Sequence, residues 1–190
     1  MSQTATKFEK NFLLNQIPPT YDELPTDVVS DGYLLVANGS YERIREVESG
    51  STKTWKRFTT TVLDSVKIES SEDIPEGSFM DEWNSLDAQQ RLRKIRLWHA
   101  GPVMAFDLYQ DELLGLGIAG SRHPSQEAAD SFTPPVWIEQ GLGITGLQQM
   151  QDPVLATLNQ PPCGQSITSA LGSTIVIPEL VLPPGLVLPR

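Results

Sequence analysis

The chain has 190 residues and sets 14 Lys+Arg against 24 Asp+Glu, a formal net charge of −10. That balance argues against nucleic acid and anionic membrane surfaces as partners, because both call for clustered Lys and Arg. Hydrophobic residues at 39% and charged residues at 20% are enough for a buried core and exclude wholesale disorder.

Three units are expected in chain order. Residues 1–30 read as an N-terminal arm, with a short helix over 7–15 around Phe8 and Phe12 and an extended connector over 16–30. Residues 31–130 read as a compact α+β domain. Within it, 33–36, 41–48 and 54–69 are predicted strands rich in Val, Thr and aromatic side chains. Asn38-Gly39 supplies a favoured hairpin turn between the first two. A helix is predicted from Ser78 or Asp81 to about Arg96, using Met80, Trp83, Leu86, Leu92 and Ile95 as its apolar face. Strands are predicted again over 103–109 and 113–119, and a short helix is expected to start near Ser125.

Residues 131–190 differ in kind. Their only charged groups are Glu139, Asp152, Glu179 and Arg190, yet they hold nine of the 15 prolines. They read as a low-charge, Pro/Gly-rich extension ending in a C-terminal arm. The expected fold is therefore α+β and mainly β: an antiparallel β-meander sheet with one covering helix, flanked by extended Pro-rich arms.

Few residues signal chemistry. Cys163 is the single cysteine, so no intramolecular disulfide and no Cys-rich zinc site is expected. The thiol also lacks a nearby base that would activate it. His99 and His123 are the only histidines. The run from Ser121 to Asp130 resembles the JAB/MPN metalloprotease motif around His123. However, Ser121 stands where that family has its first histidine ligand, so a catalytic zinc would lack a protein ligand and the protease is excluded. His99 has no Ser, Cys or carboxylate at a telling distance, which makes a hydrogen-bonded histidine at a sheet margin the simpler assignment. Gly141 to Gly146 fits a dinucleotide fingerprint only with a shifted glycine, and no P-loop is present. No metal, nucleotide or other cofactor is expected. Pro18-Pro19-Thr20-Tyr21 matches the P-P-x-Y ligand of WW domains, so Pro18, Pro19 and Tyr21 form a candidate partner motif, against a plain connector whose tyrosine packs on the domain.

The C-terminus weighs most. Ile175, Val176, Ile177, Leu180, Val181, Leu182, Leu186, Val187 and Leu188 place nine large aliphatic side chains in 16 residues. Burying them offsets the entropy of ordering that segment only if nearly all find a groove. A neighbouring chain is the expected host, with these nine residues as the partner-binding surface. Deleting them should then leave the meander folded. Pro178, Pro183, Pro184 and Glu179 exclude a membrane-spanning helix here, and residues 1–16 lack the apolar core of a signal peptide. The resulting expectation is a non-enzymatic structural subunit of a virion or bacteriophage particle (capsid, neck or tail). It would sit in the virion or host cytoplasm and bind subunits of the same assembly. The alternatives are an accessory subunit of a cellular complex, or a small hydrolase using His99 or His123.

Overall fold

The first expected helix is a strand. In the computed structural model, which describes residues 3–17, 20–37, 40–63, 66–99, 104–138, 142–168 and 172–183, β1 runs over Gln3–Leu13. Its side chains alternate: Lys7, Glu9 and Asn11 line an interior cavity, while Phe12 joins an outer apolar cluster. Phe8 and Phe12 are four apart, a spacing that suits a helix face and, equally, one face of a strand.

Seven further strands follow: β2 (Thr26–Ala37), β3 (Ser40–Ser49), β4 (Thr52–Leu63), β5 (Val66–Asp73), β6 (Arg91–His99), β7 (Met104–Tyr109) and β8 (Gly117–His123). All neighbouring pairs are antiparallel, in the order β1-β5-β4-β3-β2-β6-β7-β8, and β8 returns to β1. β1 manages both partners by dividing its length, with Gln3 to Phe8 facing β5 and Phe8 to Leu13 facing β8. The sheet is thus a closed barrel with no free edge. This corrects the expected open α+β meander with a covering helix and free arms. The predicted strand over 54–69 is two strands, β4 and β5. Asn38-Gly39 lies outside the described residues, although Ala37 and Ser40 on either side of it are paired.

The long predicted helix is mostly strand as well. Only Glu76–Ser85 is helical (α1), and a short 3-10 turn over Ala88–Gln90 leads directly into β6. Leu92 and Ile95 looked like one helix face, but Leu92, Lys94 and Arg96 alternate with Arg93, Ile95 and Leu97 on opposite faces of β6. α1 covers the outside of the barrel, where Phe79 and Leu86 pack with Ile44, Trp55 and Trp83. A five-residue helix, α2 (Gln126–Asp130), starts after Ser125, whose Oγ accepts from the Ala128 N–H at 3.1 Å.

The remaining chain closes one end of the barrel. Ile144 donates its N–H to the Asn11 carbonyl at 2.8 Å, and a four-residue helix, α3 (Asp152–Leu155), follows. The small hairpin β9 (Ser166–Thr168) and β10 (Thr174–Val176) lies beyond. Met150, Leu155, Ile175 and Ile177 bury against Leu13, Tyr33, Tyr41, Leu92, Tyr109 and Ile118, which line that mouth. Leu180 packs outside on Leu14 and on Gly117, where an added Cβ would sit 3.0–3.1 Å from Leu180 and Leu14 atoms.

Candidate functional site

In a barrel, alternate residues of every strand point inward. Four strands of this one carry charged side chains two positions apart: Lys7 and Glu9 on β1, Arg43 and Arg45 on β3, Lys67 and Glu69 on β5, Lys94 and Arg96 on β6. Asp107 of β7 and Arg122 of β8 complete the ring. The cavity that these side chains, other than the buried Lys94, enclose is about 130 Å³, well above the ~10–15 Å³ that one water requires, and its wall is polar.

The cations outnumber the carboxylates, and they share them. Glu9 faces Lys67 Nζ at 2.8 Å and Arg122 Nε at 3.6 Å. Glu69 accepts from Arg43 Nη2 at 2.8 Å and from Thr60 Oγ1 at 3.3 Å, and it also pairs with Lys7. Asp107 holds Arg96 through both oxygens, at 2.6 and 2.7 Å, and Lys94 at 2.9 Å. Asp31, fully buried, is gripped by Arg45 Nε and Nη2 at 2.6 Å each. Arg43 Nε, also buried, has no hydrogen-bond acceptor among the described residues. Its guanidinium lies 4.7 Å over the Phe58 ring.

These fields shift the protonation equilibria. Burial works to raise the pKa values of Glu9, Glu69, Asp31 and Asp107, but the adjacent Lys and Arg charges outweigh it and hold all four down. Burial lowers the Lys7 ammonium, and Arg122 pushes in the same direction. Glu69 works against both, without cancelling the effect of burial.

The cavity wall carries six of the chain's 14 Lys+Arg (Lys7, Arg43, Arg45, Lys67, Arg96, Arg122) and four of its 24 acidic residues (Glu9, Glu69, Asp107, Asp152). The rest of the chain therefore holds eight cations against twenty carboxylates. The excess of cations is thus confined to the barrel interior, where a low-dielectric wall strengthens attraction for an anion. The larger hollow outside the barrel, about 490 Å³ beside Trp83 and Leu158, balances Arg91 and Arg93 against Asp111 and Glu112 and has no such bias.

Among the described residues, no three His, Cys, Asp or Glu side chains converge to hold a metal ion. The lumen carboxylates are committed to Lys and Arg, so this donor set does not fit a resident cation.

The residues singled out in the sequence lie elsewhere. His99 is on the outer side of β6, its ring edge-on to Phe106 at 6.1 Å. His123 Nε2 is 2.9 Å from Ser121 Oγ and its ring is 4.8 Å from Phe132, also outside the lumen. Cys163 packs on the closing segment with Sγ 3.5 Å from the Gly115 carbonyl, and burial followed by Glu179 raises its pKa. Ile175, Ile177 and Leu180 are buried in their own chain, Leu182 is partly so, and Val176 and Val181 are exposed. Leu186, Val187 and Leu188 lie outside the described residues, as do Pro18 and Pro19, whereas Tyr21 packs on the outer core. The charged lumen was the site that sequence reasoning missed. Its signal was the recurrence of charges at i and i+2 in strand-forming segments.

A closed eight-stranded antiparallel barrel with a cation-rich polar cavity inside is the class that fold and site define. The solved structure of the hypothetical protein NE1496 is similar in fold, at TM-score 0.58 and 22% identity, over 80% of this chain and 99% of that one. A second structure, of the inorganic triphosphatase NE1496, gives TM-score 0.57 and 22% identity over 82% and 97%. The PH1819 protein from Pyrococcus horikoshii OT3 follows at TM-score 0.49 and 12% identity, over 65% and 84%. No family model matches the chain, and no curated protein does. The likeness is one of fold, and it overturns the expected virion subunit. The sheet expected to be open is a closed barrel, Ile175, Ile177 and Leu180 of the expected docking segment bury in their own chain, and the barrel is similar in fold to that of a protein described as a triphosphatase. The non-enzymatic, capsid, neck or tail assignment and the accessory-subunit alternative go with it, as does the virion location. Among the described residues, no helix is long and apolar enough to cross a membrane.

Proposed function

We propose that this protein is an enzyme that binds a condensed inorganic phosphate, such as tripolyphosphate, in the barrel and hydrolyses its phosphoanhydride. The observation that carries this is the cation excess of the lumen wall in a chain of net charge −10. A linear polyphosphate presents several oxyanions in a row, which suits the cations that β1, β3, β5, β6 and β8 direct into one lumen. Arg43 lines the cavity and brings its guanidinium charge to it from β3. Arginine and lysine so placed can stabilise the charge that spreads over the transferred phosphoryl oxygens. Water adds to the terminal phosphorus, the bridging P–O bond breaks, and orthophosphate and pyrophosphate leave. The fold shared with a protein described as an inorganic triphosphatase adds support.

The test is phosphate release from tripolyphosphate, with and without added magnesium, by the wild-type chain and by Arg43→Met. Release by the wild type that falls at least tenfold in the variant is the expected outcome. Equal release by both, or by neither, removes the proposal.

A further inference from the structure

The closing segment brings a carboxylate into the barrel. Asp152, first residue of α3, reaches Lys94 Nζ at 2.5 Å through one oxygen and accepts from Tyr109 Oη at 2.6 Å through the other. Lys94 is 1% exposed and is shared between Asp152 and Asp107, the latter at 2.9 Å, so Asp152 takes up the part of its charge that Asp107 leaves. Segment 144–155 that carries Asp152 is fixed at both of its ends. Thr145 Oγ1 accepts from the Asn11 N–H at 2.9 Å, and Leu155 is fully buried. An oxyanion held by an ammonium and a phenol is the arrangement a phosphate oxygen would adopt in the same place. Burial works to raise the Asp152 pKa, but Lys94 reverses it, so the carboxylate stays charged at neutral pH.

We infer that Asp152 sets the inner limit of the anion site, occupying Lys94 and so fixing the length of condensed phosphate the barrel admits. The inference rests on the lumen being the polyphosphate site. Arg122, Lys7, Arg43 and Asp152 line one cavity, so a phosphate chain drawn in by the cations also faces the carboxylate that the closing segment holds there. Each phosphate added strengthens binding until the chain reaches Asp152, and a longer chain then gains nothing. Asp152 acts here as a specificity-determining residue with no part in bond cleavage.

Calorimetric titration of the full chain with pyrophosphate, tripolyphosphate and a longer linear polyphosphate tests this. In the wild type, affinity should rise with length and then level off. Asp152→Asn keeps the shape and a Tyr109 hydrogen bond while removing the charge. It should bind the longest chain at least tenfold more tightly relative to tripolyphosphate, the scale of one released charge pair. Adding Lys94→Met to that variant should erase the gain. An unchanged long-to-short ratio in a folded Asp152→Asn protein overturns the inference, as does wild-type affinity that keeps climbing with length. Failure of the wild type to bind any of the three ligands would instead refute the lumen as the polyphosphate site.

Discussion

Ending the chain after Thr174 is expected to unfold the barrel. Ile175, Ile177 and Leu180 are 5%, 1% and 6% exposed within their own chain. Burial of such side chains stabilises by roughly 1.5–3 kcal/mol each, so about 5–9 kcal/mol would go, against a typical total of ~5–15. Backbone order is lost too: Ile177 exchanges hydrogen bonds with Gly164 and Gln165 at 2.8 and 2.9 Å, and Leu180 donates to Gly115 at 2.7 Å. Losing β10 and Ile177 also uncovers the apolar mouth formed by Tyr33, Tyr109 and Leu113. Circular dichroism and urea titration of the truncated protein should show an unfolded or molten monomer. A truncated chain with the wild-type urea midpoint would mean that these residues serve another host.

The second large effect belongs to Asp31→Asn. Asp31 is fully buried and neutralises Arg45 through two hydrogen bonds, with Arg43 Nε also 3.8 Å away. An amide in its place leaves buried guanidinium charge without a partner, a change that typically costs about 3–5 kcal/mol. The pH dependence should change with it. The Asp31 pKa is held far below its ordinary 3.8, the burial that raises it being overcome by Arg45 and Arg43. A depressed carboxylate contributes stability in full above its unfolded value and loses it as pH falls toward the folded one. Wild-type stability should therefore drop on acidification below about pH 4, and Asp31→Asn should start lower and decline less steeply there. Asp107, similarly depressed, keeps part of the slope in the variant. Urea unfolding at neutral and acid pH measures both. Equal midpoints at neutral pH would show that Asp31 is not needed to neutralise the arginines.

What the sequence made legible follows from what a barrel with a charged lumen does to periodicity. The strands expected over 33–36, 41–48 and 54–69 fall within β2, β3, β4 and β5, where β-branched and aromatic residues are dense enough to mark a strand even though β3 turns Arg43 and Arg45 inward. β1 and β6 turn Lys7, Glu9, Lys94 and Arg96 inward without that density, so nothing local distinguishes them from a helix. The apolar residues that remained, Phe8 with Phe12 and Leu92 with Ile95, fell at spacings a helix also produces. Closure was invisible because Phe12 pairs with Ala119, more than a hundred residues away, and no local signal encodes such a contact. The overall charge of −10 further hid a cationic interior inside an acidic exterior. Of the C-terminal aliphatic residues expected to need a groove on a neighbouring chain, Ile175 and Ile177 bury at the mouth of the protein's own barrel and Leu180 buries on its outer side.

The most direct measurement is equilibrium binding of tripolyphosphate, followed by calorimetry as a function of pH, to the wild type and to Lys7→Met and Arg122→Met. Both substitutions remove a lumen cation, and circular dichroism establishes that each variant is folded. With the lumen as the anion site, the wild type binds one equivalent and each variant loses roughly tenfold in affinity. Wild-type affinity also falls on the alkaline side before pH 10.5, because burial and Arg122 make Lys7 give up its proton earlier than an ordinary lysine. Wild-type binding that is absent, or that is the same in folded Lys7→Met and Arg122→Met, would contradict a phosphate site inside the barrel.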